Sequence, residues 1–312
     1  MTKETELSII TINYNGATDT CELLDTIPRE MEGLEVLVVD NGSSTDEASI
    51  ISQRYPWVRI IRSKKNLGFA GGNNLGINNS HGKYLYFLNN DTILAYPGEK
   101  ETALSRIQRL KHYLDIHTET GMVCPLIRYT EEGYPVQWVG YTPLSHVTVR
   151  NKALTTLNDL TSQPHYTPYA HGAAMMVRRS VVEEAGLMPE LYFLYYEELD
   201  WSLRIREMGY NICVVPESVV YHKESRTTGR NSALKSYYLT RNRLLFAHRN
   251  GKGWNRELSL AYQLFLAAPL HFFRHLLFFE GKWCRSIIQG IADYRHMALH
   301  SDILPHSKKR NT

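Results

Sequence analysis

Tyr84-Leu85-Tyr86-Phe87-Leu88-Asn89-Asn90-Asp91-Thr92 changes character abruptly, from five apolar or aromatic residues to two amides, a carboxylate and a hydroxyl. An unbroken apolar run suits a strand covered on both faces, as in a parallel sheet, and ligands of such sheets collect at the strands' carboxyl ends. On that reading the strand delivers Asp91 to a site. Asn-Asn-Asp is also good turn chemistry, so the stretch alone leaves a surface turn open. The preceding segments bear on the choice. Leu7 to Ile12, Leu34 to Val39 and Val58 to Arg62 read as short buried strands. Thr18 to Met31 carries Cys21, Leu23, Leu24 and Ile27 at helical spacing with Pro28 as terminator, and Glu47 to Tyr55 follows the turn residues Asp40 to Asp46 as a second helix. A loop rich in glycine and amides, Asn66 to Ile77, merges into a third. The alternation β, α, β, α, β, α, β predicts an α/β fold with a mostly parallel central sheet flanked by helices, residues 1–95 forming a nucleotide-binding half.

Farther along, Pro97 to Thr118 reads as a helix and Met122 to Arg128 as a strand, while residues 129–169 give only short strands and turns. His171 to Val177 is the next strand, and Ser180 to Ala185 a helix closed by Gly186. Tyr192 to Tyr196 leads into Glu197-Glu198-Leu199-Asp200 and a helix from Trp201 to Met208. Asn211 to Val215 and Ser218 to Tyr221 supply two strands, the second ending at His222. Beyond Ser232 the chain turns to long helices, Leu234 to Arg249, Leu258 to Phe279 and Cys284 to His300, so residues 232–312 form a C-terminal helical extension of a domain spanning 1–231.

The 312 residues are 43% hydrophobic and 21% charged, with a mean hydropathy of −0.34, which places the chain with globular rather than disordered or fully membrane-embedded proteins. Cys21, Cys124, Cys213 and Cys284 lie far apart without CxxC spacing, against a zinc knuckle or a redox pair. The polar start, Met1 to Glu6, has no secretory pattern, so the cytoplasm is the expected compartment. From Arg226 to Arg256 there are eight Lys or Arg and no Asp or Glu, a concentrated positive field. Leu258 to Phe279 is long enough to span a bilayer, which takes about 20 residues. Gln263, Pro269, His271, Arg274 and His275 interrupt it, so an interfacial or partly re-entrant helix beside an anionic membrane is the expectation.

Polar groups concentrate after three strands, at Asp40 with its Asn-Gly-Ser-Ser loop, at Asn89-Asn90-Asp91 and at Glu197-Glu198-Leu199-Asp200, with His222 as a fourth point. In a parallel sheet such ends converge on one rim. Asp91 and His222 offer a carboxylate and an imidazole suited to Mn²⁺, or with phosphate oxygens to Mg²⁺. Asp40 can accept hydrogen bonds from a base or ribose, or simply cap a turn. Crowding of Glu197, Glu198 and Asp200 behind an aromatic run favours a raised carboxyl pKa and general-base work, although an acidic first helical turn is also what a helix dipole prefers. No G-x-G-x-x-G follows the first strand and no G-x-x-x-x-G-K-[ST] occurs, which excludes the usual dinucleotide and P-loop fingerprints.

Taken together, Ser8 to Gly16, Val38 to Ser44, Asn66-Leu67-Gly68-Phe69-Ala70 with Asn74 and Gly76, Leu88 to Thr92, His171-Gly172-Ala173, Tyr196 to Trp201 and Tyr221-His222 resemble glycosyltransferase family 2, especially its bacterial rhamnosyltransferase-like members, over residues 7 to about 230. The resemblance implies a GT-A fold and inverting transfer from a nucleotide sugar, dTDP-L-rhamnose or a UDP-sugar, to a saccharide or lipid-linked acceptor of a surface polysaccharide, in an acceptor half covering residues 96–231. It implies Ile12, Tyr14 and Asp40 at the base and ribose, Asn66, Asn74, Asn90 and Asp91 around the donor, and Asp91 with His222 on a divalent cation, Mn²⁺ or Mg²⁺. Gly172, Ala173 and Trp138 fall on the acceptor side. Glu198 matches the catalytic base, with Glu197 and Asp200 as neighbouring carboxylates. Two departures stand out: Glu198 occupies an Asp position, and Asn89 occupies the first place of a DxD-type motif. They leave room for a second reading, a non-catalytic protein that binds nucleotide sugars or carbohydrate on the same fold. The basic segment does not read as a nucleic-acid surface, because its aromatic residues are spaced for helix packing.

Overall fold

The computed structural model describes residues 5–224, 232–300 and 303. Arg226 and Arg230 of the basic segment, the polar start up to Glu4 and the expected boundary at residue 231 lie outside the described residues. Strand β1 (Leu7–Asn13) has parallel neighbours on both edges, β2 (Leu34–Asp40) and, across the other edge, Tyr84–Asn89, which is why Leu7 to Thr11 are all buried. Helix α1 (Ala17–Asp25) joins β1 to β2, and α2 (Glu47–Arg54), capped by the Asp46 side chain on Ser49 N, joins β2 to β3 (Arg59–Arg62). The first helix is shorter than its sequence pattern because it ends at Thr26, ahead of Pro28.

The glycine-rich stretch forms α3 (Gly68–Asn78), leading into β4 (Tyr84–Asn89). Its glycines serve packing on the sheet: a methyl group on Gly72 would sit 2.8 Å from Ile12 Cδ1, and one on Gly76 would collide with the Ile10 side chain. Gly68 holds φ at +73°, and Phe69 N donates to Phe193 O at 2.7 Å just beside it.

The second half continues with β5 (Thr92–Ile93), α4 (Ala103–Ile116), β6 (Thr120–Tyr129), β7 (Val136–Trp138), β8 (His165–Tyr166), β9 (Ala174–Arg178), α5 (Arg179–Ala185), α6 (Glu197–Glu207) and β10 (Asn211–His222). Among the described residues ten strands make one sheet, ordered β3-β2-β1-β4-β9-β6-β10-β5, with β7 on β6 and β8 on β10. β3, β2, β1 and β4 run parallel, β10 runs parallel to β6, and β9 lies antiparallel between β4 and β6. The two strands expected over residues 211–221 are one. A register shift between Val215 and Val219 absorbs Pro216 and lets the strand continue to His222.

Two compact units emerge. The first holds residues 1–142, 152–193 and 197–227, the second residues 143–151, 194–196 and 228–312. In the second, α7 (Ala233–Asn250), capped by Ser232 on Lys235 N, packs on α10 (Gly281–His300). Gly290 makes this approach close, since a β-carbon there would stand 2.9 Å from Tyr237 O. The Tyr237 hydroxyl donates to Asp293 at 2.5 Å. The apolar run expected as one helix is α8 (Gly253–Tyr262) and α9 (Ala268–Leu277), joined through a π-helical turn at Gln263–Ala267. No helix among the described residues is long and apolar enough to cross a membrane.

Gly76→Ala is expected to lower stability by about 1–3 kcal/mol through overpacking against Ile10. Gly281→Ala, where a β-carbon meets nothing within 4 Å, should stay within about 0.5 kcal/mol of the wild type. Urea-denaturation midpoints of the two variants check both.

Candidate active site

Register aligns the strand ends. Asn13 stands opposite Asp40 across β1 and β2, and Ile12 opposite Asn89 across β1 and β4, so Asp40 and the Asn89-Asn90-Asp91 turn reach one rim. The same rim receives the residues before β9, because β9 begins at Ala174 opposite Leu88, and Asn89 N donates to Ala173 O at 2.9 Å. It also receives the end of β10. There β5 pairs antiparallel with β10, Thr92 against His222, and the His222 ring meets the Asp91 carboxylate with Nε2 to Oδ1 at 3.2 Å. Lys223 locks this arrangement: its N–H donates to Asp91 O at 3.0 Å, and its ammonium bridges Asp19 at 2.6 Å and Glu22 at 2.5 Å.

Gln137 Oε1 lies 3.0 Å from His222 Nδ1. In the tautomer that donates Nδ1–H to Gln137, Nε2 turns toward Asp91, and two electron-rich atoms 3.2 Å apart need positive charge between them. A proton or a metal ion supplies it. Adjacent ligands in an octahedral shell with bonds of about 2.1 Å are about 3 Å apart, so the pair fits one edge of a divalent-cation site. Among the described residues no group of three or more His, Cys, Asp or Glu side chains forms a metal cluster, so further ligands would have to come from water or substrate.

The donor-side residues fall around the first two strands. Asp40 Oδ1 accepts from Ser43 Oγ at 2.5 Å and from Asn13 Nδ2 at 3.5 Å, while Asp40 Oδ2 has no partner among the described residues. Asp46, not Asp40, caps α2. Tyr14 is half-exposed, and Ile12 packs on Gly72. Asn66 Oδ1 accepts from Asn41 Nδ2 at 3.1 Å and Gly68 N at 2.8 Å, bracing the loop. Asn90 Nδ2 reaches Thr20 Oγ1 at 3.1 Å and Gly16 O. Asn74 is buried, and its amide ties down a distant segment through Met188 O, Met188 N and Glu190 Oε1, so it faces protein rather than an open pocket. Glu47, absent from the sequence-based set, draws the first two loops together by accepting from Asn13 Nδ2 at 2.7 Å and Gly16 N at 2.9 Å.

Three carboxylates crowd the start of α6, and burial separates them. Glu197 and Asp200 are each 2% exposed, and Asp200 accepts from Tyr192 Oη at 2.8 Å with Arg204 3.9 Å away. Glu198 is half-exposed, and its Cγ stands 3.9 Å from where a β-carbon on Gly172 would sit. Gly172 and Ala173 thus lie between the Glu198 side chain and the end of β4. Trp138 is fully buried and presents no surface to an acceptor. Its ring packs under Tyr141 and His171, with centroids 5.4 Å from each.

His171 stacks parallel to Tyr141, centroids 6.1 Å apart, and lies 6.1 Å from the His222 ring. Burial first, then the charge of His222, push its pKa down to about 3, so it is neutral in the working range. Because Nδ1 accepts from Ala173 N at 3.1 Å, the proton sits on Nε2. Gln137 and Tyr141 were not singled out from sequence, since both lie in the irregular stretch where no periodicity marks them, and His171 entered only as the first residue of the His171-Gly172-Ala173 motif, without a role of its own.

The sequence profile described as Glycosyl transferase family 2 matches residues 8–186. The chain belongs to glycosyl transferase family 2. The low-salt glycan biosynthesis hexosyltransferase Agl10 of Haloferax volcanii is 31% identical over 245 residues, covering 77% of this chain and 75% of that protein. The N-acetylglucosaminyl-diphospho-decaprenol L-rhamnosyltransferase of Mycobacterium tuberculosis is 24% identical over 265 residues, 80% of this chain and 86% of that one. The mannosyltransferase PcManGT from Pyrobaculum calidifontis, solved with GDP-Man and Mn²⁺, superposes with a TM-score of 0.54 at 18% identity, covering 96% of this chain and 88% of that one. The fold is GT-A, as the family resemblance implied.

A β-carbon on Gly172 would meet Phe69 at 3.4 Å and Glu198 at 3.9 Å, ordinary contacts, whereas a branched side chain would fill the space before Glu198. Gly172→Ala should therefore retain stability and activity, and Gly172→Leu should fold yet lose sugar transfer. Thermal melts and a transfer assay on the pair check this.

Proposed function

We propose that this family 2 enzyme is an inverting glycosyltransferase. It moves a sugar from a nucleotide diphosphate donor, dTDP-L-rhamnose or a UDP-sugar, to a saccharide or lipid-linked acceptor in surface polysaccharide synthesis. The observation that carries the reading is the position of Glu198, the half-exposed carboxylate of the three, on the same rim as Asp91 and Asp40. The rhamnosyltransferase and PcManGT similarities support the sugar class and the use of a nucleotide donor.

On this reading the base and ribose lie along Ile12, Tyr14 and Asp40, with Asp40 Oδ2 accepting from a hydroxyl or a ring N–H. Asp91 and His222 would hold a divalent ion, which supplies positive charge for the departing diphosphate. The acceptor enters over Gly172 and Ala173. Glu198 takes the proton of the acceptor hydroxyl as that oxygen bonds to the anomeric carbon. The bond from that carbon to the diphosphate oxygen breaks on the opposite face, and the nucleoside diphosphate leaves with the electron pair, so the configuration inverts. His171, neutral and carrying its proton on Nε2, can donate to a sugar hydroxyl without adding charge. The exposed apolar face of α8 and α9 supports work at the inner surface of a membrane.

Glu198→Gln is expected to lower kcat by about 10²- to 10⁴-fold while thermal stabilisation by the donor persists. Activity equal to the wild type would remove Glu198 from the chemistry. In a melting screen of nucleotide sugars, dTDP-L-rhamnose with Mn²⁺ should raise Tm most, and Asp91→Asn or His222→Ala should abolish the Mn²⁺-dependent part of the shift.

A further inference from the structure

β6 pairs with β10 from Thr120 to Tyr129, while its other edge changes partner. β9 pairs there only at Met122 and Val123, and β7 takes over at Ile127 and Arg128. β7 enters with a break in register: Trp138 stands opposite Ile127 but Val136 opposite Arg128, which leaves Gln137 as the extra residue of a β-bulge. A bulge bends its strand and re-aims a side chain. Here the Trp138 ring packs under Tyr141 and His171, and the Gln137 amide reaches the His222 ring, with Oε1 3.0 Å from Nδ1. Both partners are buried, Gln137 at 8% exposure and His222 at 5%. Among the described residues the Gln137 side chain makes no other hydrogen bond. Taking an amide out of water is unfavourable unless it is hydrogen-bonded, so this single contact is what holds the side chain in place.

A neutral imidazole carries one N–H and one lone pair, and the partner of one nitrogen decides which of them faces outward at the other. A carbonyl oxygen at Nδ1 requires the N–H there. The lone pair then falls on Nε2, 3.2 Å from Asp91 Oδ1. With no acceptor at Nδ1 the opposite tautomer is favoured, because Nε2–H can donate to the Asp91 carboxylate. That pair satisfies itself and offers no lone pair to a cation. The Gln137 carbonyl thus selects the open form of the pair over the closed one, and being neutral it does so without adding negative charge beside Asp91.

We propose that Gln137 is a positioning residue, whose carbonyl fixes His222 as the Nδ1–H tautomer and so keeps Nε2 available, together with Asp91, for a divalent cation. The inference rests on the proposed cation role of Asp91 and His222. It adds a residue that touches neither the ion nor the sugar and acts through the imidazole. A histidine that ligates a metal is oriented through its second ring nitrogen, and loss of that outer partner lowers metal affinity by about 10- to 100-fold.

Two readouts on the full chain test it, neither of them sugar transfer. The first is the ¹⁵N–¹H correlation spectrum of protein labelled in the histidine rings, recorded without metal at alkaline pH, with the His222 signals assigned by their loss in His222→Ala. In the wild type Nδ1 should give the signal of a protonated nitrogen, and in Gln137→Leu that signal should move to Nε2. The second is titration with Mn²⁺ alone, free ion being read by electron paramagnetic resonance. Gln137→Leu should weaken the binding that His222→Ala removes by about 10- to 100-fold, and Gln137→Glu, which restores an acceptor, should recover it. Gln137→Asn, one methylene shorter, keeps the amide but withdraws the carbonyl and should behave like Gln137→Leu, so the test survives if the leucine variant misfolds. An unprotonated Nδ1 in the wild type would overturn the inference, as would wild-type Mn²⁺ affinity in Gln137→Leu or Gln137→Asn. Mn²⁺ binding untouched by His222→Ala would overturn the proposed cation site and this inference with it, whereas binding lost in His222→Ala but kept in the Gln137 variants would overturn this inference alone.

Discussion

The catalytic unit depends on the hydrogen-bonded register of β1 with its two parallel neighbours. Because Asn13 pairs with Asp40 and Ile12 with Asn89, three separate loops end at one height along the sheet. A slip of one residue would carry Ile10 and Ile12 off the face where Gly76 and Gly72 of α3 leave room for them, so the fit of helix on sheet holds the register that the site requires. The packing that secures the strands is thus also what gathers the polar ends.

Completion of the site falls to the other half of the sheet, where strand direction changes. The antiparallel β9 feeds His171, Gly172 and Ala173 onto the rim at its start, whereas the parallel β10 delivers His222 there at its end. The two-residue β5 then pairs with β10 and brings Asp91 against His222. Electrostatics follow from this geometry. A rim carrying Asp40, Asp91 and Glu198 attracts positive charge, and the neutral His171 adds a donor without opposing it.

The second unit is organised on another principle. Its core is the close packing of α7 on α10, permitted by Gly290, while α8 and α9 leave an apolar side to solvent. Ser259, Gln263 and Tyr196 hold the carbonyls of residues 147–149 and with them Val149 at φ +50°.

By itself the amino-acid sequence determined the alternation of strands and helices up to Asn89, since apolar periodicity and turn chemistry are local properties. It also determined the candidates Asp40, Asp91, Glu198 and His222, which stand at strand or helix ends and match an ordered set of motifs. Tertiary structure alone decided which of Glu197, Glu198 and Asp200 reaches solvent, because adjacent residues on one helical turn differ only in what packs over them. It also revealed Gln137, Tyr141 and Glu47, and gave a role to His171 of the His171-Gly172-Ala173 motif, since these roles come from partners as far as 85 residues away for Gln137 and His222. It turned Asn74 and Trp138 from pocket-lining residues into internal braces. Long-range pairing and burial are set by the whole packed chain, and no local pattern records them.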